Sequence, residues 1–231
     1  MAKHSNDPMS ASSGARAWLV ALSLVAGVLL ALAGWAFWGA TSASPAPTPT
    51  PILSSSSQEL PVGHAHPPRA LVDALFRDTF DENLVRWFDE CRKQDGFEKL
   101  PVERWFVSVQ LPPIDGQLPL YFVRPTLEPF CLTFYGAHTF SYWLVQQQPT
   151  ALGPVFKVVD FDSGDFVHVL PTHHGGIYDL ERGLCTAMQC TYATQQYQGD
   201  SFRMVNCRRE HFDDGRLVRT EPLDCDALMS N

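Results

Sequence analysis

The apolar positions change period twice along the chain. Residues 17 to 38, AWLVALSLVAGVLLALAGWAFW, are apolar on every side and carry no charge, amide or proline. At about 1.5 Å rise per residue, such a helix would cross a roughly 30 Å hydrocarbon core. From Leu71 the apolar residues recur at three- and four-residue spacing: Leu71, Val72, Leu75, Phe76 and Phe80, then Leu84, Val85, Trp87, Phe88 and Cys91. This spacing predicts two short helices, or one that breaks near Asp81, beginning at Pro68 and stopped by Gly96. Beyond residue 101 the period falls to two. "RWFVSVQL" alternates Trp105, Val107 and Val109 against Arg104, Ser108 and Gln110, the pattern of a half-buried strand.

More strands follow at regular intervals. "LYFVRP" comes after a turn at Asp115-Gly116, and "FCLTFYGAHTFSYWLVQQ" reads as two strands about Gly136-Ala137. "FKVVDF" and "DFVHVL" flank Asp162-Ser163-Gly164, and "IYDL" follows Gly175-Gly176. "QCTYATQQY" and "SFRMVNC" flank Gln198-Gly199-Asp200, and "HFDDGRLVR" predicts a last hairpin at Asp214-Gly215. The expected class is α+β: an N-terminal transmembrane helix, then one or two helices packed on an antiparallel sheet, sandwich or open barrel with disulfides.

Charge and composition give these elements an address. Lys3 and Arg16 precede the apolar run, and no Lys or Arg follows it until Arg69. The positive-inside rule therefore predicts a cytoplasmic N-terminus at 1–16, an anchor at 17–38 and the remainder exported, in a single-pass inner-membrane arrangement with a periplasmic domain. Trp35, Phe37 and Trp38 suit an interfacial aromatic belt. The rival is a signal peptide cleaved near Ala43, which would release the domain into the periplasm or beyond. Residues 39–68 are rich in Pro, Ser and Thr and read as a linker, leaving 69–231 as the folded domain. His64 and His66 in that linker read as solvated.

The chain's net charge is −8, which argues against a phosphate backbone or anionic headgroups as partners, because both require clustered cations. No nucleic acid is expected. The membrane enters through residues 17–38, and the expected partner is an envelope protein or a glycan. All six cysteines, Cys91, Cys131, Cys185, Cys190, Cys207 and Cys225, lie in the exported part and suit disulfides. Cys91, on the apolar side of its helix, would staple that helix to the sheet. Cys185 and Cys190 would bridge each other across a tight loop, or one of them would reach Cys207.

Candidate chemistry is sparse. In "THHGGIYDLERGLCTAMQC" the HHGG run resembles the oxyanion-hole segment of some esterases, but G-x-S-x-G occurs nowhere in the chain. Gly175-Gly176 then read as a turn, with His173 and His174 in solvent. "DFDSGD" fails as a calcium loop, since its sixth and twelfth positions are Asp165 and Pro171. No metal or cofactor is expected. "YGAHTFSYW" is the strongest recognition candidate. With Trp105 it would present Tyr135, His138, Tyr142 and Trp143 as an aromatic platform for a glycan or protein.

Three segments together resemble a functionally unassigned group of exported bacterial envelope proteins. They are "RWFDECRKQDGFEKLPVERW", "YFVRPTLEPFCLTFYGAHTFSYWLV" and "HHGGIYDLERGLCTAMQC" with the hairpin that follows. The group's C-terminal pattern is G-x-x-D-L, two cysteines, then a hairpin ending in Cys, matched here by Gly176, Asp179, Leu180, Cys185, Cys190 and Cys207. The turn departs, with Gln198-Gly199-Asp200 in place of Asp-Gly. The resemblance spans roughly residues 84 to 207 and implies location and fold style.

The leading functional expectation is a membrane-tethered, non-catalytic periplasmic binding or accessory domain. One alternative is an envelope hydrolase with a dispersed site drawn from Asp160, Asp162, His168, His173 and His174. Another is an immunity or lysozyme-inhibitor-like protein, whose acidic surface would speed encounter with a basic enzyme.

Overall fold

A computed structural model describes residues 49–94, 96–151 and 153–229. The segment expected as an anchor, 17–38, and the cleavage point at Ala43 lie outside the described residues. Among the described residues no helix is long and apolar enough to cross a membrane.

The two leading helices form as their periodicity predicts. Helix α1 (Arg69–Thr79) buries Leu71, Val72, Ala74 and Leu75. Helix α2 (Glu82–Gln94) starts where the Asp81 carboxylate accepts the Leu84 N–H at 2.7 Å, an N-cap that explains the break between the helices. Glu82 in its first turn and Arg92 and Lys93 in its last suit the helix dipole.

Ten strands among the described residues, one before the helices and nine after them, form two antiparallel sheets. The first is a meander of β2 (Phe106–Gln110), β3 (Leu120–Pro125), β4 (Phe140–Thr150) and β5 (Gly153–Gly164). The second runs in the order β1 (Leu53–Ser56), β6 (Phe166–His174), β7 (Ile177–Cys185), β8 (Gln189–Tyr197), β9 (Phe202–Asp213), β10 (Arg216–Leu223). A short helix α3 (Cys225–Met229) closes the described chain.

The expected α+β class is therefore corrected to mainly β, with 49% of the described residues in strands. The physical reason is what each sheet packs against. Antiparallel partners share a face, and the face of the first sheet carrying Trp143, Val123 and Phe106 meets the helices. Phe76, Phe80, Phe88 and Phe134 join those rings, with centroids 5.3 Å apart for Phe88–Phe134 and 5.8 Å for Phe106–Trp143. The opposite face, with Phe122, Tyr142, Leu144 and Arg124, meets the second sheet instead. The helices thus cover one face of one sheet, and sheet-on-sheet contact supplies much of the remaining core.

Two local expectations change as well. The stretch 49–68, read as a tether, belongs to the domain. Its β1 pairs with β6, and Ala65 bridges Ser108. Arg124 is what holds it there. Its guanidinium, fully buried, donates to Ser55 Oγ at 2.7 Å, to Glu59 O at 2.8 Å and to Ser56 O. It also reaches Pro125 O and Tyr135 Oη and lies 4.0 Å from the Phe140 ring centroid. Proline and serine did not exclude order here, because partners remote in sequence meet their backbone groups. The second change is at "FCLTF", expected as a strand: Leu132–Phe134 is a 3-10 turn, since Cys131 is tied to Cys91 of α2 and the chain cannot run on along β4.

All six cysteines pair: Cys91 with Cys131, Cys185 with Cys190, and Cys207 with Cys225. The Cys185–Cys190 bond joins residues directly opposite on β7 and β8, and Cys207–Cys225 ties α3 to β9. The hairpin at Asp214-Gly215 forms as expected, with φ of 46° and 72°, the paired positive values a tight two-residue turn requires.

Candidate functional site

Strand β5 carries the feature of most chemical interest. Asp160 pairs with Leu144 and Asp162 with Tyr142, so both carboxylates and the Tyr142 ring lie on the face turned toward the second sheet. Two side chains from that sheet meet Asp162. Arg182 of β7 donates to its Oδ1 at 2.6 Å, and Gln195 of β8 donates to its Oδ2 at 3.3 Å. Facing a carboxylate fixes the Gln195 amide with its NH2 toward Asp162, which turns its carbonyl oxygen the other way.

A cleft of about 380 Å³ opens at this seam between the sheets. Its walls include Asp160, Asp162 and Gln195, the C-terminal end of α1 at Asp78 and Thr79, and the β8–β9 turn from Asp200 to Phe202. Phe161, on the reverse side of β5 and 42% exposed, stacks on Trp143 with centroids 5.1 Å apart. Four aspartates line the cleft, and among the described residues lining it none is basic.

Three buried polar atoms at this place have no hydrogen-bond partner among the described residues: Gln195 Oε1, Asp160 Oδ2 and the Tyr142 hydroxyl. An unsatisfied buried polar atom costs about 1–3 kcal/mol. Burial pushes the Asp160 carboxyl up to about 7, helped by the neighbouring charge of Asp162 and opposed by a backbone hydrogen bond from Phe161 and by Arg182. Burial, then Asp162 and Asp160, drive the Tyr142 phenol well above its ordinary value of 10.0. Near neutrality the carboxyl that lines the cleft is therefore poised between its two forms, with an intact phenol buried on the neighbouring strand. Buried carboxyls shifted this way cluster at functional sites.

The aromatic platform expected at Trp105, Tyr135, Tyr142 and Trp143 does not exist as a surface. All four are buried. Trp143 donates to Thr79 Oγ1 at 3.0 Å, Trp105 packs edge-on against Phe88 at 5.3 Å, and the Tyr135 hydroxyl serves Arg124 and the backbone of residues 125 and 126. Alternation marked which residues share a face but not that both faces of this sheet are covered. His138 alone is exposed. It lies at a second cleft of about 360 Å³, with Asp165 and Cys185.

Of the dispersed hydrolase set, Asp160 and Asp162 come together, but none of the three histidines lines their cleft. His168 contacts Ser54 Oγ at 2.9 Å, and burial lowers its pKa against the opposing pull of Glu181. His173 is exposed. His174 Nδ1 meets the buried Asp179 at 2.7 Å, and Thr172 donates to the other oxygen of that carboxylate. His64 and His66 each hold a backbone carbonyl, of Pro61 and Phe106 respectively. Among the described residues no three His, Cys, Asp or Glu side chains are grouped to hold a metal ion.

Sequence reading missed Gln195 and Arg182. The available signal was the alternation of "QCTYATQQY", which puts Gln195 on the same face as the buried Ala193; an inward glutamine needs a polar partner. No family model, no curated protein and no solved structure matches this chain.

Proposed function

We propose that this chain is an exported binding protein of the cell envelope, non-catalytic, and that the cleft between its two sheets is the recognition site. The observation that carries the reading is a group of three unpartnered buried polar atoms at this seam: Gln195 Oε1 and Asp160 Oδ2, on side chains that line the cleft, and the hydroxyl of Tyr142, buried on the neighbouring strand. Buried polar groups are paired in nearly all folds, so keeping three unpaired together points to a ligand that pairs them. The carbonyl and carboxylate oxygens are acceptors. The ligand is therefore one rich in hydrogen-bond donors, as an envelope glycan is. Complete pairing of the six cysteines supports an oxidising compartment on the far side of the cytoplasmic membrane.

The test is retention of the oxidised full chain on immobilised envelope glycans, wild type against Gln195→Leu. Loss of retention in the variant, with thermal unfolding unchanged, supports the reading. Equal retention, or none for the wild type, removes it.

One observation favours turnover as a second reading. Asp160, titrating at about 7, sits beside Asp162, which is ion-paired with Arg182. An acid and a carboxylate held in different environments are the parts of a glycoside hydrolase. Release of reducing ends from the same glycans by wild type, and not by Asp160→Asn or Asp162→Asn, would convert the binding protein into an enzyme.

A further inference from the structure

The three disulfides stand in different surroundings. On β7, Arg182 reaches across the seam to Asp162, so strand alternation turns Glu181, Gly183 and Cys185 to the face away from the first sheet. The register of β7 on β8 runs unbroken from Leu180 to Cys185 and sets Cys190 directly opposite Cys185 on that outer face. Both cysteines are partly exposed, and Thr186, Ala187 and Met188 between them are exposed. Cys185 also lines the cleft of about 360 Å³ that holds His138. The other two bonds each have one end in the core, since Cys131 and Cys207 are both only 2% exposed.

The hairpin does not depend on its disulfide. Pairing from Leu180 with Gln195 to Leu184 with Thr191 holds the strands in register. Thr186 closes the loop itself, donating its N–H to Gln189 O at 2.7 Å and accepting the Gln189 N–H on its hydroxyl at 3.3 Å. With a sequence separation of 5, this bond also closes the shortest loop of the three and so constrains the unfolded chain least. Its neighbours have structural work: Cys91–Cys131 fastens α2, and Cys207–Cys225 fastens α3.

A disulfide that thiols can reach, and whose opening leaves its strands in place, is suited to exchange. We propose that Cys185–Cys190 is a thiol–disulfide exchange site that takes two electrons from a dithiol, with Cys185 as the sulfur attacked. A thiolate of the dithiol bonds to Cys185 Sγ as the Sγ–Sγ bond breaks, and the electron pair leaves on Cys190. The second thiolate of the dithiol then attacks its own partner sulfur in the mixed disulfide and releases Cys185. The dithiol ends as a disulfide, and its two protons end on Cys185 and Cys190. Charge sets the direction. Asp165 accepts the Cys185 N–H on its carboxylate, so its negative charge opposes a thiolate on Cys185. Cys190 stands opposite Glu210, whose charge Arg208 offsets at 3.0 Å. Cys190 is therefore the better leaving group.

The experiment exposes the oxidised full chain, without denaturant, to reduced glutathione and separately to reduced thioredoxin, a protein dithiol. Samples are quenched with N-ethylmaleimide at successive times, and the modified cysteines are located by peptide mass spectrometry. Cys185–Cys190 should open about tenfold or more faster than the other two bonds, with the cooperative urea transition retained. The first species trapped with glutathione should carry it on Cys185 and the maleimide on Cys190. Faster opening by thioredoxin assigns a protein dithiol as the reductant, faster opening by glutathione a small thiol, and both support the site. In the double variant Cys185→Ser, Cys190→Ser the remaining bonds should open as slowly as in wild type. Faster opening there would make Cys185–Cys190 a guard of the fold and overturn its exchange role. Equal rates for all three bonds, or no opening short of unfolding, overturn the proposal outright, and glutathione found on Cys190 overturns the assigned direction.

Discussion

Replacing Asp160 by Asn tests the electrostatics of the cleft without reference to any ligand. In the fold this carboxyl titrates at about 7, against an ordinary value of 3.8. Between those values the folded chain keeps a proton that the unfolded chain releases. The group's contribution is therefore fully present below the unfolded value and lost as pH rises through the folded one. At about 1.4 kcal/mol per unit the whole effect is at most ~4 kcal/mol. Between pH 5 and pH 8 the linkage relation leaves roughly 2–3 kcal/mol, an upper figure because Asp160 is not wholly shielded from water. The amide does not titrate. Urea unfolding of the oxidised protein at both pH values should then show Asp160→Asn gaining on wild type by about 2 kcal/mol from pH 5 to pH 8. Groups that do not feel the charge of Asp160 cancel in this double difference. A change under about 0.5 kcal/mol would show that Asp160 is an ordinary carboxylate and would remove the electrostatic argument for the site.

Tyr142→Phe should leave stability unchanged or raise it by about 1 kcal/mol, because the hydroxyl it removes is buried without a partner; a loss above about 1 kcal/mol in thermal or urea unfolding would mean that the hydroxyl is bonded. Arg124→Met strands Ser55 Oγ and the carbonyls of Ser56 and Glu59, and should cost about 3 kcal/mol. Limited proteolysis should then cut between residues 49 and 60 well before the rest of the domain unfolds, and uniform resistance there would refute the anchoring role. Paired Cys→Ala variants should rank by loop length, with sequence separations of 40, 18 and 5. Losing Cys91–Cys131 should cost about 4 kcal/mol, Cys207–Cys225 about 3 and Cys185–Cys190 about 2, read as shifts in the urea midpoint; a reversed order would mean that loop closure does not govern these bonds.

What the sequence determined by itself is local. The three- and four-residue period drew α1 and α2, with Asp81 marking the break between them. The two-residue period drew β2 through β10 apart from their exact ends, and Asp214-Gly215 fixed the last hairpin, because a helical stripe, a pleated alternation and a left-handed turn are each decided within a few residues. The pairing of Cys185 with Cys190 was one of two local options, and their direct opposition on β7 and β8 selected it. Tertiary structure decided everything that depends on which faces meet. Trp105, Tyr135, Tyr142 and Trp143 were legible as strand aromatics but not as core, since burial of the second face depends on helices and a sheet supplied from elsewhere in the chain. Residues 53–56 read as polar linker, and only pairing with β6, with Arg124 bound to Ser55 and Ser56 from 68 or more residues away, made them part of a sheet. The candidate site was split in the same way. The pattern around "DFDSGD" placed Asp160 at the end of a strand and Asp162 in a turn, whereas β5 runs on through Gly164 and puts both on one face; Gln195 and Arg182 come from strands whose distance in sequence hides their contact, and it is burial between the two sheets that moves Asp160 to about 7, against the pull of Arg182.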